Sequence, residues 1–269
     1  MLNFFNGDTY DTPDDMQRLL LDRLVGSGRA HFVARYASVM IRARLLIVQG
    51  KNTPAARARR AYQIVRLIEG CGGRFHLSGL SHVAQAGNEG ETLLIVANHM
   101  SSMEGGLFPG LLAPLTPVSF VIKQSLLKYP IFGPVIASFN PIVVGRRNPR
   151  EDLQTVMTQG QALLEQGVSV VIFPQSTRAA RFDPEQFNSL GVKLARRAGV
   201  RVMPVALKTD FWGNGRLVRD FGPLHRERPI FFAFGEPVAV DNNGRFAHQY
   251  TVDFIRSHTE RWQKMEIGD

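Results

Sequence analysis

The residues best placed to do chemistry form one short loop, Asn98-His99-Met100-Ser101-Ser102-Met103-Glu104, directly after the apolar run LLIVA. A histidine at a strand's end can point into a cleft, and a carboxylate opening the next helix can reach back to it. Such a pair keeps one imidazole nitrogen protonated and leaves the other as a general base. A plainer reading fits the same residues. Ser101-x-x-Glu104 is also a capping box, in which Glu104 satisfies backbone donors, and His99 is then a buried histidine with its bonds filled. Two further loops follow apolar runs. Phe173-Pro174-Gln175-Ser176-Thr177-Arg178 is a tight turn whose arginine is either solvated or offers its planar fork to a phosphate or carboxylate. Val144-Gly145-Arg146-Arg147 sets basic residues at the end of a short strand.

These loops need strands to carry them. TLLIVANH (92–99), VSFVIK (118–123), PIVV (141–144), VSVVIF (168–173), RVMPVAL (201–207) and IFFAFG (230–235) read as buried strands. Helical spacing links Leu153, Val156, Met157, Leu163 and Leu164, and again residues 186–198 and 244–265. Strands alternating with helices predict an α/β layer with a mostly parallel sheet flanked by helices. In such sheets, chemistry gathers in the loops leaving the C-terminal strand ends, where all three motifs fall.

The order of the blocks is more specific than any one of them. Asn98-His99-x-x-x-x-Glu104 is followed by Lys123-x-x-Leu126 with Pro130 and Gly133, then Ile142-Val143-Val144-Gly145-Arg146. Phe173 to Arg178 and Met203-Pro204-Val205-Ala206-Leu207 complete the series. Over residues 90–210 this succession resembles the glycerolipid acyltransferase family, whose best-known members acylate 1-acylglycerol-3-phosphate. The resemblance implies that His99 is the general base, that Glu104 orients it, and that Arg146 and Arg178 hold the acceptor's phosphate. Asn98, Gln175, Ser176 and Thr177 would be the supporting loop residues. It implies no bound cofactor; the acyl thioester, on coenzyme A or acyl carrier protein, is a co-substrate. The chain departs from the family in three places. Glu104 stands where Asp is usual, Gln175-Ser176 replaces Glu-Gly, and Gly145 stands where an acid often precedes the arginine.

Charge adds a partner. The formal net charge is +9, and residues 16–66 hold eleven bases and one acid. Leu19 to Val25, then Phe32, Val33, Tyr36, Val39, Met40 and Ile41, then Leu45 to Val48 recur at helical spacing among those arginines. A basic amphipathic segment of this kind suits an anionic membrane surface, although an ordinary helix with a solvated arginine face has the same pattern. No nucleic-acid motif accompanies it, so no nucleic-acid partner is expected. Residues 105–122 and 129–145 carry no charge, but their prolines argue against a membrane span; they read as core and tunnel wall. One cysteine, Cys71, excludes a disulfide framework, and the histidines show no metal-ligand spacing, so no metal is expected. The opening MLNFFNGDTYDTPDD has acids where a secretory signal needs bases. Lys208 is a candidate addition to the phosphate pocket.

The expectation is therefore a basic amphipathic helical segment over residues 1–75 that docks on the membrane, then an α/β acyltransferase domain over residues 76–269. It would sit as a peripheral or monotopic protein on the cytoplasmic face and acylate a lysophospholipid. Rival readings are another lysolipid acceptor, such as a lyso-aminolipid, and a catalytically silent lipid-binding protein.

Overall fold

A strand that is apolar at every position must be covered on both faces, and LLIVA is buried at all five. The computed structural model shows how; it describes residues 7–24, 29–175, 177–215, 220 and 222–267. The strands are β1 (Tyr10–Asp11), β2 (Phe75–Ser78), β3 (Leu93–Ala97), β4 (Val118–Lys123), β5 (Ile142–Val144), β6 (Ser169–Ile172), β7 (Arg201–Lys208) and β8 (Ile230–Phe234). The helices are α1 (Leu20–Leu24), α2 (Ala30–Val48), α3 (Pro54–Gly70), α4 (Leu80–Asn88), α5 (Met103–Leu112), α6 (Phe132–Ala137), α7 (Pro149–Glu165), α8 (Leu190–Ala198) and α9 (Arg245–Ile267).

The strands form one sheet in the order β1-β2-β8-β7-β3-β6-β4-β5. All pairings are parallel except β1 with β2 and β7 with β8. Successive strand residues face opposite sides. Leu93, Ile95 and Ala97 accordingly join a core under α2 to α6, while Leu94 and Val96 join one under α7 to α9. Strands β3, β4, β5 and β6 run the same way, so the loops after Ala97, Lys123, Val144 and Ile172 gather at one sheet edge.

The six strands and three later helices expected from the pattern are present. Strands β1 and β2 are additions; two and four residues are too few to show a period. Helix α2 buries Phe32, Tyr36, Met40 and Ala43, one stripe at helical spacing, and α3 buries Ala61, Ile64, Val65 and Ile68. All of these but Ala61 share a core with Ile95 and Val205 of the sheet, so both helices are packed on the α/β layer. Thr53 starts α3 by accepting from the Ala56 N–H at 3.2 Å. Helix α1 has the opposite polarity to a core helix. It exposes Leu20, Leu21 and Leu24 and buries Asp22. Val25, expected in the same helix, lies outside the described residues. Among the described residues no helix is long and apolar enough to cross a membrane.

Asp22 is held by Arg18 Nε at 2.8 Å and Arg226 Nη2 at 3.0 Å, and the Leu19 N–H donates to the Gly70 carbonyl at 2.8 Å. This strap lies against Cys71. Burial, with the Asp22 carboxylate beside it, pushes the Cys71 thiol up to about 12. The native protein should therefore not react with an aromatic disulfide reagent at neutral pH. Breaking a buried charge pair costs about 3–5 kcal/mol, so Asp22→Ala should label at least tenfold faster, read by absorbance. Equal rates for the two proteins would show that the strap does not guard the thiol.

Candidate active site

Strand β3 ends at Ala97, and the chain turns through Asn98 and His99 into α5. Asn98 is buried and bonded to β7 at both ends of its amide. Its Nδ2 donates to the Leu207 carbonyl at 2.8 Å, and its Oδ1 accepts from the Leu207 N–H at 2.7 Å. This side chain continues the β3–β7 ladder after the backbone has left it. It fixes where the next residue, His99, begins.

His99 is paired through Nδ1 with Glu104 Oε2. A carboxylate only accepts, so Nδ1 donates to it, and in the neutral ring that leaves Nε2 with its lone pair. Glu104 has no exposed surface. Its second oxygen, Oε1, accepts from Met100 N at 2.8 Å, Ser101 N at 2.9 Å and the Thr209 hydroxyl. The pairing with His99 and the capping box are therefore both present, one on each oxygen. The Ser101 hydroxyl completes the cap by accepting from Met103 N at 3.2 Å, and it donates to Thr209 Oγ1 at 3.0 Å.

The loop after β6 closes on this turn. Gln175 Oε1 accepts from the His99 N–H at 2.7 Å, and the His99 carbonyl accepts from Ala179 N at 3.0 Å. An amide oxygen fills that acceptor role as a carboxylate would, so Gln175 keeps the contact without the charge. Phe173 lies against the His99 ring, centroids 4.6 Å apart. Ser176 lies outside the described residues.

His99 opens onto a cavity of about 480 Å³, with Lys123, Arg146, Gln175, Thr177 and Arg178 on its wall. That volume lies in the range of small-molecule sites. Arg146 is reached through a left-handed turn, φ 57°, uncommon for a side-chain-bearing residue and frequent at functional sites. The turn is secured by Asp152, whose two oxygens accept from Gly145 N and Arg146 N, each at 2.9 Å. Arg178 is paired with Asp220 at 2.7 Å. Asp220 also accepts from the Tyr129 hydroxyl at 3.2 Å, and its carbonyl from the Ser102 hydroxyl at 3.2 Å.

A model of the acyltransferase family matches residues 74–208, half of the chain. The chain belongs to that family. The acyltransferase match runs from β2 through β7 and includes every residue expected in the site. Among similar proteins is a 1-acyl-sn-glycerol-3-phosphate acyltransferase of Pseudomonas aeruginosa, 32% identical over 148 residues, covering 55% of this chain and 54% of that protein. Another, from Limnanthes alba, is 26% identical over 169 residues, covering 62% of this chain and 55% of that one. The matched regions thus span about half the length of these curated relatives. A 1-acyl-sn-glycerophosphate (LPA) acyltransferase of Thermotoga maritima has a similar fold, with a TM-score of 0.58 at 18% identity over 87% of this chain and 96% of that one.

Within the matched region the expected residues fall into two groups. His99, Glu104 and Gln175 are bonded together, and His99, Gln175, Thr177, Arg146 and Arg178 face one cavity. Asn98 is a clamp beneath them. Lys208 is absent from the cavity; it is buried and paired with Asp210 at 2.9 Å and with Glu266. Thr209 and Asp220 were not anticipated. Thr209 follows the Met203–Leu207 block by two residues, which is a usable signal, whereas nothing in the sequence marks Asp220. Asn98→Ala should strand both backbone groups of Leu207 and lower stability by about 2–4 kcal/mol, measured by urea unfolding; a change under about 0.5 kcal/mol would show the clamp is dispensable.

Proposed function

We propose that this acyltransferase moves a fatty acyl group from an acyl thioester, on coenzyme A or acyl carrier protein, to the free hydroxyl of a lysophospholipid. The acceptor that fits best is 1-acylglycerol-3-phosphate, and the product is then phosphatidic acid. One observation carries this reading. His99, held through Nδ1 by a carboxylate, lines a cavity whose wall carries both arginines and hydrocarbon.

His99 Nε2 takes the proton of the acceptor hydroxyl as its oxygen forms a bond to the thioester carbonyl carbon. The tetrahedral intermediate holds its negative charge on the former carbonyl oxygen. Lys123, at the end of β4, lines the cavity and supplies a cation for that charge. Collapse breaks the carbon–sulfur bond, and the imidazolium returns its proton to the leaving thiolate. Glu104 stabilises the imidazolium between the two transfers. Arg146 and Arg178 hold the acceptor's phosphate, Arg178 on release from Asp220. A second reading, a lyso-aminolipid acceptor, is favoured by Asp220 itself, whose carboxylate in the cavity suits an ammonium group.

The deciding assay follows thiol release from palmitoyl-CoA with and without 1-acylglycerol-3-phosphate. Release should depend on the acceptor and fall at least about a thousandfold in His99→Ala. Release from a lyso-aminolipid alone would move the proposal to that acceptor. Lipid binding unchanged in His99→Ala, with no release from either protein, would leave a silent lipid-binding protein.

The reading places the protein on the cytoplasmic face of a membrane, as a peripheral or monotopic protein. Exposed Leu20, Leu21 and Leu24 of α1 lie near exposed Arg23, and exposed Ile41, Leu45 and Val48 of α2 are interspersed with exposed Arg35 and Arg42. Apolar and basic groups sharing a surface suit an anionic bilayer. Replacing Leu20, Leu24 and Leu45 by Ser should weaken sedimentation with phosphatidylglycerol vesicles at least about tenfold, and salt should weaken it further. Unchanged sedimentation would remove these helices from membrane docking.

A further inference from the structure

Arg60, in the second turn of α3, lines the same cavity and is only 8% exposed. A charge so far removed from water is ordinarily met by a carboxylate. Among the described residues none is paired with it. Its hydrogen bond is a long one, Nη1 to Asn52 Oδ1 at 3.4 Å, and its Nη2 is buried without an acceptor. Arg57, one turn earlier, has a buried Nε in the same condition. Both guanidiniums lie over the Phe139 ring, at 5.1 Å for Arg57 and 6.0 Å for Arg60. Burial, and then the neighbouring charge of Arg57, pushes Arg60 down to about 10.

Its place along the cavity decides what it meets. Ala61, the next residue, lies against Gly110 of α5; a Cβ on Gly110 would stand 2.7 Å from the Ala61 Cβ. Gly110 is six residues beyond Glu104, about 9 Å along the helix. The phosphate of a lysophospholipid is joined to the hydroxyl-bearing carbon through one carbon and one oxygen. With the hydroxyl at His99, the proposed function seats that phosphate on Arg146 and Arg178, which leaves Arg60 to the rest of the ligand. The cavity wall also includes Gly105, Ile64 and Phe120, which offer hydrocarbon and open space, and the Tyr36 hydroxyl stands against Gly106. Beyond its own helix turn and chain neighbours, nothing stands within 4 Å of where a Cβ on Gly105 would be. What extends from His99 toward Arg60 is the acyl chain.

We propose that Arg60 is a specificity-determining residue for the acyl group, selecting chains that carry an oxygen acceptor, a carboxylate or hydroxyl, at the end remote from the thioester. A plain hydrocarbon chain reaching this point strips the guanidinium of water and returns nothing. An oxygen-ended chain returns a charge-assisted hydrogen bond. The proposal rests on the acyl-transfer reading for the position of the thioester carbonyl at His99.

Trp212 lines the cavity, while Trp262, the other tryptophan, lies in the core on the opposite side of the sheet. Tryptophan fluorescence of the full chain, titrated with methyl decanoate and with the monomethyl ester of decanedioic acid, therefore reads binding without turnover. The half-ester, a monoacid with its free carboxylate at the remote end, should bind about tenfold tighter or more. Arg60→Met keeps the apolar stem and removes the charge; it should abolish the preference and bind methyl decanoate at least as well as the wild type. Arg60→Lys should retain part of it. Equal affinities in the wild type overturn the proposal whatever the variants do, and so does a preference that persists in Arg60→Met. Loss of the acyl-transfer reading would appear as absent thiol release with the preference for the half-ester intact. Failure at Arg60 would appear as equal binding with thiol release intact.

Discussion

Glu104 is a carboxylate with no surface of its own, and the site is organised by the need to fill its lone pairs. A buried carboxylate is tolerated only when donors surround it. Here they come from the His99 ring, two backbone N–H groups at the start of α5, and the Thr209 hydroxyl. Thr209 is more than a hundred residues away in sequence. It arrives because β7 runs parallel to β3, in register through Ala97 and Val205, and because Asn98 extends that pairing past the strand's end. The sheet, the helix cap and the proposed base thus meet at one side chain, and none of the three is set without the others.

The parts legible in the sequence are those with a local period or a local order. Short, mostly apolar runs announced six strands, and the succession of motifs announced which loops would converge. What stayed hidden depends on distance in sequence. Glu104 read as either an orienting acid or a cap, because a sequence shows one residue where the structure has two oxygens with different partners. Asp220 gives no sign of meeting Arg178 forty-two positions earlier. Arg60 sits in a helix rich in arginine, where the pattern suggests a solvated face. Only the packing of α3 on α5, with Gly110 admitting Ala61, turns that one arginine inward. Strands β1 and β2 are too short to have a pattern at all.

The family match begins at residue 74, so α2 and α3 lie outside it. These helices nonetheless complete the cavity, through Tyr36 and Met40 on one and Arg60, Ala61 and Ile64 on the other. Tyr36 also packs edge-on against Trp212, with centroids 5.2 Å apart. In the proposed function the same two helices therefore have two duties, one face toward lipid in the bilayer and the other toward lipid in the site. A change in how they lie on a membrane would alter the cavity wall without touching the matched region.

The pairing of Arg178 with Asp220 bears on how charge is managed while the cavity waits. An arginine fork in a partly dry cleft would otherwise draw in whatever inorganic anion the solvent offers. Asp220 fills that role from within the chain. If a phosphate takes Arg178, the arriving anion displaces a tethered one, which then regains its hydration. Recognition of this kind is an ion exchange, and its selectivity is a difference between two anions rather than the strength of either. A weak or singly charged ligand gains little over the residue already there, so the chain's own aspartate sets the threshold that an acceptor has to exceed.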